Sequence, residues 1–122
     1  MGLDQYAYAV NKENEKENEK GREEIAYWRK HNRLQGWMDE LWTKKGNEGE
    51  FNCQYLELTM EDILELEKTI KDKNLPETTG FFFGNDSYVD YEEYDMPNDI
   101  KFIKRAKKEL KAGKKIVYTC WY

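Results

Sequence analysis

The sequence predicts an α+β fold: a small sheet of about four strands covered by three helices, in a single domain over residues 1–122. Three observations carry that prediction. Short stretches near both ends and in the middle alternate in polarity with period two, as half-buried strands do. Between them lie apolar stripes at helical spacing, set off by glycine, proline and asparagine. Aromatic residues make up 15% of a chain that is 37% charged with a mean hydropathy of -1.07, which pairs an aromatic core with a charged surface rather than with disorder.

Residues 2–10 alternate, with Tyr6, Tyr8 and Val10 on one face and Gln5, Ala7 and Ala9 on the other, and read as the first strand. The tandem Glu-Asn-Glu-Lys repeat of residues 13–20 has no apolar residue to bury, so the stretch 11–21 reads as a mobile charged loop. From Arg22 to Lys45 the spacing is helical in two pieces. Ile25, Trp28, Arg29 and Asn32 share one stripe, while Leu34, Trp37, Met38, Leu41 and Trp42 share a nearly opposite one. That disagreement predicts a break between His31 and Gly36, with Asn32 capping the second piece and Gln35 completing a capping box.

After the turn at residues 46–49, Phe51, Cys53 and Tyr55 alternate into Leu58 as a strand. Thr59 is placed to cap a helix with acidic Glu61 and Asp62 in its first turn and a core stripe of Ile63, Leu66 and Ile70. Phe81, Phe82 and Phe83, between Gly80 and Gly84, read as a short buried strand. Residues 98–112 form a helix through Ile100, Ile103, Ala106 and Leu110, stopped by Gly113, and Ile116 to Trp121 close the sheet.

Composition excludes several functions. A net charge of -5 argues against general nucleic-acid binding, which needs a surplus of Lys and Arg to displace phosphate counterions. No apolar run approaches the ~20 residues of a membrane span, and the start lacks a signal peptide, so the chain reads as cytoplasmic with reduced thiols. His31 is the one histidine and no Cys-x-x-Cys spacing exists, so no metal or other cofactor is implied. Ser87 is the one serine and lacks a nucleophile elbow, while Cys53 and Cys120 sit at apolar strand positions where burial makes thiols inert. Nothing in the pattern points to catalysis.

Two segments hold candidate binding residues. In Tyr27-Trp28-Arg29-Lys30-His31-Asn32-Arg33, aromatic and basic groups crowd together in an otherwise acidic protein. Arginine forks match carboxylate and phosphate oxygens, and aromatic faces stack on planar rings. A ligand-binding set of Tyr27, Trp28, Arg29, Lys30 and Asn32, with Phe82 as a pocket wall, would take a small anionic, nucleotide-like molecule. The competing reading buries Arg29 and Asn32 against an internal carboxylate, for which Asp4 is the candidate. The second segment, Asn85 to Asp99, holds six acids and no base. It is either a solvated loop facing the basic last helix or a partner-binding surface through Asp90, Tyr91, Glu92, Glu93 and Tyr94.

The opening Gly2-Leu3-Asp4-x-Tyr6, the block Ala26-Tyr27-Trp28-Arg29-Lys30-x-Asn32-x-Leu34-x-Gly36-Trp37 and the stretch Leu75-Pro76-x-Thr78-x-Gly80-Phe81-Phe82-Phe83-Gly84 resemble a group of small uncharacterised proteins of tailed bacteriophages and some bacteria. The resemblance extends to Phe102-Ile103 and Val117-Tyr118-x-x-Trp121, and the tandem repeat looks like an insertion into a variable loop. A sugar-phosphate kinase label attached to some members is not supported, because the chain has no phosphate loop. The resemblance implies a phage-encoded accessory protein in the cytoplasm of an infected host. It would act by binding: ligand capture, in counter-defence and deepened by homo-oligomer formation, or inhibition of a host protein through the acidic segment.

Overall fold

A computed structural model describes residues 3–11, 22–29, 31–49, 51, 53–75 and 96–121. Four strands, β1 (Asp4–Val10), β2 (Arg22–Arg29), β3 (Tyr55–Leu58) and β4 (Lys115–Trp121), form one antiparallel sheet in the order β2-β1-β4-β3. Among the described residues, three helices, α1 (Asn32–Lys44), α2 (Met60–Lys71) and α3 (Met96–Lys111), complete the α+β architecture. No helix among the described residues is long and apolar enough to cross a membrane.

The largest departure from the sequence reading is Arg22–Arg29, expected as helix and found as an edge strand. The reason lies in its register. Ala26 pairs with Ala7, but the next pair is Glu24 with Tyr8, so Ile25 is an extra residue in β2. A bulge of this kind breaks the period-two pattern and leaves Ile25 and Trp28 three apart, which imitates a helical stripe. The break near His31 is therefore a change from strand to helix. The cap is His31, not Asn32: its Nδ1 accepts the Leu34 N–H at 3.4 Å.

The remaining elements follow their stripes. In α1, Leu34, Met38, Leu41 and Trp42 are buried. Thr59 caps α2 with a complete capping box, accepting from Asp62 N at 3.2 Å while Thr59 N donates to the Asp62 carboxylate at 2.9 Å. Ile63, Leu66 and Ile70 face inward as expected. In α3, Ile103 and Ala106 are buried with Phe102, whereas Ile100 is exposed. Gly113 ends α3 at φ +89, a conformation that favours glycine. The strand expected from Phe51 begins only at Tyr55, because Cys53 takes φ +62 in a turn. The predicted Phe81–Phe83 strand and the tandem repeat of residues 13–20 lie outside the described residues.

All three helices pack on one face of the sheet. Their buried side chains form a single cluster with Ala7 and Ala9 of β1, Trp28 of β2, Leu56 and Leu58 of β3, and Ile116, Tyr118 and Cys120 of β4. Rings interlock within it: Trp28 meets Phe102 edge to face at 5.0 Å, and Trp42 stacks on Phe51 at 4.8 Å. Small residues on β1 let the helices approach, and its large residues turn to the other side.

Candidate functional site

Strand alternation splits the aromatic-basic cluster between the two faces of the sheet. Trp28 pairs in register with Gln5 and points into the core, where it is 3% exposed. Tyr27 and Arg29, its neighbours, are exposed on the opposite face. Asn32 opens α1, and Lys30, Phe82 and residues 90–94 lie outside the described residues. The core partner expected for this segment is also different. Asp4 is half-buried on the outer face, and the internal carboxylate is Asp99 of α3, 1% exposed.

Asp99 draws together three elements. Its Oδ1 accepts the Trp28 indole N–H at 2.8 Å and its Oδ2 lies 2.8 Å from His31 Nε2. With Nδ1 accepting from Leu34, the ring proton sits on Nε2 and is donated to Asp99. The chain of polar contacts continues beneath the helices. The His31 N–H donates to Gln5 Oε1 at 2.9 Å, and Gln5 Nε2 donates to His31 O at 3.1 Å and to the Tyr118 hydroxyl at 2.8 Å. Tyr118 donates onward to Gln35 Oε1 at 2.6 Å, and Gln35 Nε2 reaches Cys120 Sγ at 3.3 Å. Burial pushes the Tyr118 phenol well above its ordinary range and the Cys120 thiol up to about 11. Every link is buried and occupied, so this network fixes how β2, α1 and α3 meet and offers no open position to a ligand.

The outer face is different in kind. Residues opposite one another in an antiparallel pair share a face, so the register writes its layout in rows. Arg29, Asp4 and Trp121 form one row, and Tyr27, Tyr6, Thr119 and Tyr55 the next. Tyr8 follows in the third row with Val117 and Glu57 beside it. The Tyr6 ring stands 5.2 Å from Tyr27 and 6.2 Å from Tyr8, nearly parallel to the latter. The Arg22 guanidinium lies 4.3 Å over Tyr8 and donates to the Tyr55 hydroxyl at 2.8 Å.

At the Arg29 corner the groups remain open. Trp121 is 64% exposed and Tyr27 43%. The Tyr27 hydroxyl donates to Asp4 Oδ1 at 2.7 Å, a bond that holds its proton and raises the phenol above its ordinary value, with partial burial adding to the effect. Among the described residues, no hydrogen bond or ion pair engages the Arg29 guanidinium. One guanidinium, one carboxylate and three rings thus share a single sheet corner.

The sequence reading named Tyr27 and Arg29, and offered Asp4 as a buried partner of Arg29, but missed Tyr6 and Trp121 as their neighbours. The signal was present in the first strand, where tyrosines alternate with Gln5, Ala7 and Ala9. Small residues on the helix-covered side leave the large ones for the other side, where Val10 and Val117 are buried and Tyr27 and Trp121 exposed. Elsewhere, Asp99 leaves the acidic segment for the core, and Cys53 is exposed rather than buried. A cleft between α1 and α2, lined by Trp37, Glu40, Leu41, Lys44 and Glu65, has a volume near 90 Å³, too small for a nucleotide. No protein-family model, curated protein or solved structure gives a significant match to this chain.

Proposed function

We propose that this protein binds a small, planar, anionic ligand of nucleotide type on the outer face of its sheet, at the corner formed by Arg29, Tyr27, Tyr6 and Trp121. The observation that carries this reading is the exposed Arg29 guanidinium beside exposed rings, with no bond or ion pair to any described residue. Fixing two exposed aromatic side chains and an arginine on a rigid sheet lowers the ordering cost of stacking a ring and pairing an anion. Arg29 meets the ligand's charge, and Tyr27, Tyr6 and Trp121 meet its ring. Trp28 supports the strand from beneath. The resemblance to phage proteins supports an accessory role in an infected cell, and capture of a nucleotide signal there is counter-defence.

An NMR titration of the intact protein with nucleoside monophosphates tests the reading. Backbone amide shifts confined to Tyr6, Tyr27, Arg29 and Trp121, lost in Arg29→Ala, are expected. Shifts absent at millimolar ligand, or equal in Arg29→Ala, would reject it.

A further inference from the structure

We infer that the base recognised at this corner is guanine, in the form of a free mononucleotide, and that Asp4 selects it. The inference rests on the proposed ring-and-anion site and adds the identity of the ring. Asp4 sits at the centre of its row, directly between Arg29 and Trp121, and one pleat repeat along β1 from Tyr6. A ring lying over Trp121 or Tyr6 therefore presents an edge to this carboxylate. An ionised carboxylate only accepts hydrogen bonds, at about four lone-pair positions on two oxygens. Tyr27 occupies one position on Oδ1, and among the described residues Oδ2 accepts nothing.

What a carboxylate in this place requires is a ring edge with two adjacent donors. Guanine supplies them in N1–H and its 2-amino group. Adenine presents an acceptor, N1, beside its single 6-amino donor, and would set a lone pair against the carboxylate. Hypoxanthine keeps N1–H and lacks the second donor. The same carboxylate lowers the attraction of the corner for a bare anion, so phosphate alone is a poor occupant, and Arg29 balances one negative charge beside it. The net charge of -5 favours a free mononucleotide over a polynucleotide, whose further phosphates would meet an acidic protein.

Isothermal titration of the full chain with GMP, IMP, AMP and the single-stranded tetranucleotide UUGU tests the inference. GMP is expected to bind at least about tenfold tighter than AMP, as for a well-formed pair of base-edge hydrogen bonds, with IMP between them. Asp4→Asn, which turns one acceptor into a donor, is expected to erase that ratio while keeping the circular dichroism of the parent. Equal binding of GMP and AMP overturns the assignment of guanine and leaves the ring-capture reading standing. Binding of neither overturns both. UUGU binding more than tenfold tighter than GMP overturns the free mononucleotide. If Asp4→Asn does not fold, the order GMP, IMP, AMP in the parent protein decides alone, and any other order is fatal to the role of Asp4.

Discussion

On the helix-covered face of the sheet, Gln5 uses both ends of its amide, Tyr118 both donates and accepts, and Asp99 is bonded through both oxygens. On the opposite face, one residue along the same strands, Asp4 accepts from Tyr27 and the Arg29 guanidinium bonds to no described residue. The two faces share their backbone and differ in solvation. A polar group removed from water costs several kcal/mol if unpaired, so the network around Gln5, Tyr118 and Asp99 pairs its groups, while the buried Trp42 indole N–H is left without a partner among the described residues. A polar group at the surface is bonded to water at little cost, so the outer face can keep valences open for a ligand.

The comparison breaks first at Asp99. Asp99→Ala removes the acceptor that the Trp28 indole and the His31 ring share and opens a cavity, and a loss of about 3 kcal/mol or more is expected in urea unfolding. A loss below about 1 kcal/mol would mean that the network does not hold the fold. Tyr118→Phe keeps the ring packing but strips a donor from Gln35 and an acceptor from Gln5, and about 2 kcal/mol is expected by the same measurement.

Alkaline titration compares the faces without mutation. Tyr118 has its phenol pKa raised by burial, so in the folded state it stays protonated where an unfolded tyrosine ionises. Its contribution to stability is fully present below the unfolded value near 10 and is lost as pH rises beyond it, because only the unfolded chain releases the proton. Absorbance near 295 nm should therefore show Tyr118 ionising only with alkaline unfolding. Ionisation of every tyrosine before the circular dichroism changes would contradict the sealed inner face. The smallest effects belong outside: Arg29→Ala and Tyr27→Phe should each shift stability by no more than about 0.5 kcal/mol, since exposed bonds are worth little. A larger shift would move those side chains from ligand binding to structure.

Much of the architecture was legible in the residues. Thr59 with Asp62, the stripe Ile63-Leu66-Ile70, the Gly113 stop and the closing strand each combine a local signal with the periodicity of their element. The stretch Arg22–Arg29 was not, because Ile25 is an added residue and a bulge is set by pairing with β1 rather than by the strand's own pattern. Nor was His31 as a cap: histidine is an uncommon one, chosen here because its second nitrogen reaches Asp99. The burial of Asp99 is wholly tertiary, since an acid in an acidic segment carries no local mark of being enclosed. Part of the candidate corner was visible as Tyr27 and Arg29, with Asp4 offered as the partner of Arg29 but as an internal group. The rest required knowing which strands lie side by side.

The strand order carries a consequence for how the chain reaches its native state. β4 is the last element along the sequence, yet it lies in the middle of the sheet, between β1 and β3. During synthesis β1 and β2 are free to join as a hairpin, while β3 has no neighbour until residues 115–121 have left the ribosome. The pairing of Asp4 with Trp121 joins the first and last strands, so the sheet closes through contacts of the greatest sequence separation, the kind that folds slowly. The nascent chain therefore holds its most apolar surface open until translation of this segment is done, and exposure to aggregation and to chaperones falls in that interval.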